Sequence, residues 1–166
     1  MDFELKLLTQ PAIPEALERA ERYRLLNEPS QAESICLDVL SIDPGNQTAL
    51  ITLLLSLTDQ FGEDVSTGRV REVLPALKGE YERAYYAGII SERSARARLK
   101  QRLPGANFVA YREFMDAMRR YEEAEALRPG GNDDAILRWN TCARTLMRHH
   151  ELRPQPQETP EPILDD

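Results

Sequence analysis

Apolar residues recur at spacings of three and four through most of this chain of 166 residues. Such spacings place apolar side chains along one face of a helix, and the alternation typical of strands is nearly absent. Short polar segments containing proline or glycine separate the helical stretches, at positions 27–30, 43–45, 62–64, 104–105 and 128–131. The pattern predicts an all-α protein with about seven helices, one of them long.

The first two predicted helices form a closely packed antiparallel pair. The first begins at Pro14, a residue favoured in the first turn of a helix, and the second ends at Asp43, because Pro44 disfavours helix in the residue before it. The turn between them is short, which favours antiparallel packing. Small or flat residues occupy the positions where the two helices would touch, namely Ala20, Tyr23, Ala32, Cys36 and Val39.

The third predicted helix, residues 47–61, is apolar on most of its sides. A helix of this kind is buried between neighbouring elements rather than laid on a surface. Ser66 can start a fourth helix, but Pro75 lies within its apolar pattern and should shorten or kink it.

A long helix is predicted at residues 80–103, and a rise of 1.5 Å per residue gives it a length of about 35 Å. It is followed by a helix at 108–127. The last predicted helix is capped by Asn132 or Asp133 and ends near His149.

The positions of small, aromatic and proline residues in 14–61 resemble those of the tetratricopeptide repeat (TPR) family, whose unit is a pair of antiparallel helices of about 34 residues. The same spacing returns within residues 108–146, at Phe114, Ala117, Tyr121, Ala124 and Pro129. The distance from Pro44 to Pro129 exceeds two such units, so residues 62–107 form a distorted unit. The resemblance implies a right-handed solenoid of helix pairs with two clear units, the distorted unit and a capping helix.

In this family the first helix of each unit lines a concave groove that binds a partner. The resemblance implies that the groove-facing residues are Leu17, Glu21, Arg24, Thr48, Ile51, Leu55 and Asp59. Some family members hold a peptide carboxylate with lysine and asparagine, but the matching positions here are Leu17 and Glu21, so that clamp is missing. We expect a partner helix or extended segment with apolar anchors and basic flanks.

Charge adds a second candidate surface to this expectation. The chain carries a net charge of −7, which argues against a dedicated nucleic-acid binder. The long predicted helix nevertheless contains a basic strip made of Arg93, Arg96, Arg98, Lys100 and Arg102. The strip is either the solvated face of a long helix or a docking site for an acidic protein segment; nucleic acid and anionic lipid are less favoured occupants.

The sequence offers no motif that would carry catalysis. The only histidines, His149 and His150, are adjacent on a helix and point about 100° apart, so they cannot share a metal as an i, i+4 pair can. Cys36 and Cys142 are predicted to be reduced and buried rather than joined in a disulfide. We therefore predict no catalytic residue, no metal site and no cofactor.

The function implied by the resemblance is that of an interaction module: an adaptor, a co-chaperone or an assembly factor. One alternative is a self-assembling structural subunit that dimerises through residues 47–61 or the long helix. A less favoured alternative is a helical enzyme, or a nucleic-acid binder that uses the basic strip 93–102.

We expect residues 1–150 to form the helical domain and residues 151–166 to form a disordered tail rich in proline and acidic residues. The tail either only solvates the terminus or presents residues 163–166 as a short ligand for another protein or for this protein's own groove. The first residues are acidic where a secretory signal would be basic, and no apolar stretch reaches the length of a membrane span. A cytoplasmic location is the expectation that follows.

Overall fold

The structure is a computed structural model and describes residues 1–63 and 65–156. Within these residues the chain forms seven α-helices and no β-strand, which confirms the predicted all-α class. The helices are α1 (Ile13–Leu25), α2 (Pro29–Ile42), α3 (Gln47–Asp59), α4 (Thr67–Arg71), α5 (Glu80–Gln101), α6 (Ala106–Leu127) and α7 (Asp134–Arg148). Two short 3-10 helices cover Gln10–Ala12 and Leu74–Ala76.

Two of the helices are long, whereas the sequence predicted one. Both α5 and α6 contain 22 residues. Gly105 adopts a φ of 75°, and this left-handed backbone lets the chain reverse direction immediately before Ala106. Ala106, the first residue of α6, is buried, and α6 therefore begins two residues before the predicted start at Phe108. The prediction of a single long helix was therefore wrong.

The fourth helix is short, as the position of Pro75 in the sequence predicted. The Ser66 hydroxyl accepts a hydrogen bond from the backbone amide of Arg69 at 3.3 Å and so caps the start of α4. The helix ends after five residues, and Pro75 lies in the 3-10 helix that follows it. This region connects the first three helices to the longer pair α5 and α6.

Neighbouring helices in the chain pack against each other. Contacts join α1 to α2, α2 to α3, α5 to α6 and α6 to α7, and α3 also contacts α1 and α5. The pairing of α5 with α6 is antiparallel, because Ser94 bonds to Glu113 while Ser91, nearer the start of α5, bonds to Asp116 near the middle of α6.

The core forms around the small and flat residues that the sequence placed at helix contacts. One apolar cluster is built mainly on α1, α2 and α3, and a second on α5, α6 and α7. Leu55 and Tyr86 pack against both clusters and make the core continuous. The predicted contact residues that are fully buried are Ala20, Ala32, Cys36, Val39, Phe114, Ala117, Tyr121 and Ala124.

Tyr86 lies where the two apolar clusters meet. Its ring is half-buried and packs edge-on against Tyr85, with 5.1 Å between ring centroids. Burial raises the pKa of Tyr86 to about 12.

Ordered packing continues past the predicted domain boundary after residue 150. Leu152 is only 5% exposed and packs into the second apolar cluster. Its backbone amide donates to the carbonyl of His149 at 2.9 Å, which turns the chain back toward the helices. Residues 157–166 of the predicted tail lie outside the described residues. Within the described part of the chain, no helix combines the length and apolarity that crossing a membrane would need.

Candidate partner-binding surface

The predicted binding residues form rows along three helices. Each row has spacings of three or four residues, which place its members on one helix face. The rows are Leu17, Glu21 and Arg24 on α1; Thr48, Ile51, Leu55 and Asp59 on α3; and Arg93, Arg96 and Lys100 on α5. In the structure Asp59, the last residue of the second row, contacts both Arg24, the last residue of the first row, and Arg93, the first residue of the third.

Arg24, Asp59 and Arg93 form a junction between α1, α3 and α5. The Arg24 Nε donates to Asp59 Oδ2 at 2.8 Å, and Arg93 Nη1 donates to the other carboxylate oxygen, Oδ1. One carboxylate is therefore shared by two guanidinium groups, and the junction carries one net positive charge. Sequence reasoning assigned these residues to two separate surfaces, and the structure places them in one.

Arg93 is held firmly in this junction. It also donates to the Thr58 hydroxyl at 2.7 Å and to the Leu55 carbonyl at 3.3 Å. Burial lowers the pKa of Arg93, and the charge of Asp59 opposes that shift. The side chain is thus an anchor between α5 and the end of α3 rather than a freely moving surface cation.

A depression opens beside the junction, and we call it the basic pocket. Its volume is about 320 Å³. It is lined by Thr58, Asp59, Phe61, Arg93, Arg96, Ala97 and Lys100. Lys100 is exposed and forms no ion pair with any residue in the described part of the chain. It is the cation of the pocket that is available to an incoming ligand.

A buried carboxylate, Glu92, lies beneath the pocket. Its side chain is only 1% exposed and accepts a hydrogen bond from the Tyr121 hydroxyl at 2.7 Å. Arg96 donates twice to Glu92 Oε1, at 3.1 and 3.2 Å, and Arg138 of α7 lies 3.5 Å from the same oxygen. Again two guanidinium groups share one carboxylate, so this cluster also carries one net positive charge.

The environment of Glu92 fixes the protonation of its partners. Burial, reinforced by the negative charge of Glu92, raises the pKa of Tyr121 far above its usual range, so the hydroxyl remains a donor. Burial acts to lower the pKa of Arg138, but the charge of Glu92 together with the neighbouring Tyr85 and Tyr121 outweighs burial, so the pKa is raised. The cluster is a pre-arranged set of charges that ties α5 to α6 and α7.

Sequence reasoning did not identify Glu92 as part of a site. The available signal was its position one turn before Arg96, where an acid and a base share one helix face. Arg138 gave no comparable signal, because its approach to Glu92 depends on how α7 packs.

The basic strip is only partly free for docking. Arg93 is bonded to Asp59, Arg96 to Glu92, and Arg98 to Glu113 at 2.9 Å. Lys100 and Arg102 are exposed. The strip is therefore neither a simple solvated face nor an unbroken row of available cations.

The remaining predicted groove residues serve different purposes. Leu17 is half-buried and packs with Val39 and Ala49 in a small third cluster. Ile51 and Leu55 are half-buried in the core, while Glu21 and Thr48 are exposed and do not line the basic pocket. The part of the predicted groove that the structure gathers into one site is its end near Asp59.

The described cysteine and histidine side chains do not line the basic pocket. Cys36 and Cys142 are free and buried, as predicted, and burial raises the pKa of each thiol to about 12. A protonated, buried thiol is a poor nucleophile. His149 Nδ1 lies 3.0 Å from Glu151 Oε1 at the end of α7. Among the residues that the structure describes, no group of histidine, cysteine and acidic side chains could hold a metal ion.

Comparison of the chain with models of protein families, with curated proteins and with solved structures gave no match.

Proposed function

We propose that this protein is a non-catalytic, TPR-like interaction module that binds an acidic segment of a partner protein at the basic pocket. The proposal includes a right-handed stack of antiparallel helix pairs. Alternate helices touch, as such a stack requires: α1 contacts α3, α3 contacts α5, and Glu92 of α5 pairs with Arg138 of α7. The odd-numbered helices would then form the wall that faces the partner.

The junction of Arg24, Asp59 and Arg93 is the observation that carries the proposal. It joins three helices at the edge of one depression, and it orders the side chains there before any ligand arrives. A binding site whose residues are already held in place loses less conformational entropy on association. The residues that make the pocket are thus suited to recognition.

The charge of the pocket changes the expected chemistry of the partner. The sequence suggested basic flanks, because Glu21 and Asp59 are acidic. In the structure Asp59 is neutralised by two arginines, and the exposed Lys100 adds a further cation. Phe61 supplies an apolar wall. An acidic segment with one apolar anchor is the occupant that fits these groups.

The alternatives have less support. Dimerisation through α3 would need exposed apolar residues, but eight residues of this helix are buried inside the chain, and eight of α5 are buried as well. Nucleic-acid binding needs cations free to contact phosphate, whereas Arg93, Arg96 and Arg98 are bonded to carboxylates. The raised thiol pKa values give no support to cysteine chemistry.

The test compares two charge reversals that should leave the fold intact. Lys100→Glu reverses the charge of the exposed lysine in the pocket, and Lys78→Glu makes the same change at an exposed lysine outside it. Tagged wild-type protein and both variants are used to recover partners from the native source. We expect proteins that wild type and Lys78→Glu retain but that Lys100→Glu and high salt release. Equal recovery by all three proteins would contradict the proposal.

A further inference from the structure

Three neighbouring depressions lie around the end of α5 and share lining residues. The basic pocket shares Phe61 and Ala97 with a depression of about 220 Å³. That depression in turn shares Arg98 and Gln101 with a third, of about 270 Å³. We call the three together the α5 groove. It leads from Lys100 at one end to Gln155 at the other.

The groove combines positive charge with apolar surface. Among the residues that the structure describes, its basic lining residues are Arg93, Arg96, Arg98 and Lys100, and its acidic lining residue is Asp59. Val65 lies beside Phe61 in the middle depression. Leu103 is 61% exposed at the far end, where Phe108 and Val109 also line the wall. An occupant should therefore be acidic, with apolar residues between or beside its charges.

The described chain ends inside this groove. Leu152 is anchored in the core, and Gln155 lines the third depression. Residues 157–166 continue from that point and contain four acidic residues, no basic residue, and the apolar pair Ile163 and Leu164. Prolines at 160 and 162 favour an extended backbone. The composition of this segment matches what the groove would bind.

The segment is long enough to reach the other end. Ten residues in an extended, proline-rich conformation span about 30 Å. The α5 residues that line the groove, Arg93 to Gln101, span about 12 Å of helix axis at 1.5 Å per residue. The order of the side chains also agrees, because the apolar pair precedes the acids Asp165 and Asp166, just as Phe61 precedes Lys100 on the path from Gln155.

We propose that residues 157–166 occupy the α5 groove of their own molecule. Ile163 and Leu164 pack against Phe61 and Val65, and Asp165 and Asp166 lie beside Lys100. This inference goes beyond the proposed function and needs no partner for its test. Where both hold, an external acidic segment must first displace this internal one, which lowers its apparent affinity.

The test uses the full chain and its assigned amide NMR spectrum. Three variants are compared with wild type: Leu164→Ser, which removes the apolar anchor; Asp165→Asn with Asp166→Asn, which removes the charges; and Thr159→Ser, the control within the same segment. We expect both functional variants to shift the amide signals of Phe61, Ala97 and Lys100. We expect the control to shift only signals next to residue 159.

Salt and charge reversal separate the possible outcomes. High salt should reproduce the shifts of the double asparagine variant, because it screens the same ion pairs. Lys100→Glu should remove the difference between wild type and the asparagine variant at Phe61 and Ala97. Shifts confined to residues 155–166 in every variant would overturn the proposal. Groove shifts that vanish on dilution would also overturn it, because they would assign the contact to a second copy of the chain.

Discussion

The aromatic ring of Tyr121 lies directly over Gly88, so closely that a Cβ atom at Gly88 would come within 2.5 Å of the ring carbon Cε1. Because Gly88 has no side chain, α6 can approach α5 closely at this point. The Tyr121 hydroxyl then lies within hydrogen-bond distance of buried Glu92. A glycine within a helix costs about 1 kcal/mol relative to alanine. That cost is offset here by close packing and by a hydrogen bond to a buried charge.

Gly88→Ala should destabilise the protein despite the better helix propensity of alanine. The new methyl group would overlap the Tyr121 ring, and overpacking of a buried site costs about 1–3 kcal/mol. Urea unfolding monitored by circular dichroism measures the change. Gly68→Ala is the matched control, since the nearest atom to its Cβ would be at an ordinary 3.8 Å. A Gly88→Ala protein at least as stable as wild type would contradict this packing.

Removing the hydroxyl of Tyr121 should also destabilise the fold. Tyr121→Phe keeps the ring but deletes the hydrogen bond to buried Glu92, and bonds to charged groups contribute about 1.5–3 kcal/mol. Glu92→Ala should cost more, about 3–5 kcal/mol, because it leaves the positive charges of Arg96 and Arg138 without their carboxylate. Chemical denaturation of both variants tests the order, and an Ala variant more stable than the Phe variant would refute the account of the cluster.

Asp116 should make the stability of the α5–α6 pair sensitive to acid. Burial acts to raise its pKa, but the hydrogen bonds from Ser91 and Arg119 and the positive charges of Arg119 and Arg120 together lower the pKa below its usual 3.8. A lowered folded-state pKa means that the stabilisation is complete above the unfolded pKa and is lost as pH falls through the folded value. Wild type should therefore exceed Asp116→Asn in stability at pH 6, and the gap should close below pH 3.8. Thermal unfolding of both proteins across that pH range is the test. A stability difference between wild type and Asp116→Asn that does not change with pH would contradict this account of Asp116.

The two thiols should be unreactive in the folded protein. Both Cys36 and Cys142 are buried, and burial raises the pKa of each to about 12, so almost no thiolate is present at neutral pH. A chromogenic disulfide reagent should modify neither thiol in buffer and both thiols in concentrated urea. Rapid modification of either cysteine in buffer would show that its helix contact is open.

Much of the helical layout could be predicted from local pattern. Pro44 and Pro75 ended helices where the chemistry of proline requires it, and the small residues Ala20, Ala32 and Cys36 were correctly placed at helix contacts. These signals are local, because they depend on residues within one or two helical turns. The start of α6 was placed two residues too late because it depends on the left-handed turn at Gly105.

Only part of the candidate site could be predicted from the sequence. Spacing identified Arg24, Asp59 and Arg93 as members of exposed rows, but their mutual bonding depends on how α1, α3 and α5 meet. The expected acidic character of the groove changed for the same reason, since Asp59 is neutralised by its neighbours. The spacing of Glu92 and Arg96 indicated an ion pair within one helix, but the burial of Glu92 depends on how α6 and α7 pack against α5.

The most direct measurement of the central claim is the affinity of a recovered partner's acidic segment for three versions of the full chain. Fluorescence anisotropy would give Kd for wild type, Lys100→Glu and Lys78→Glu at low and high salt. We predict that Lys100→Glu weakens binding roughly tenfold or more at low salt, while Lys78→Glu stays close to wild type. An equal affinity of wild type and Lys100→Glu for that segment would contradict the assignment of the basic pocket as the binding site.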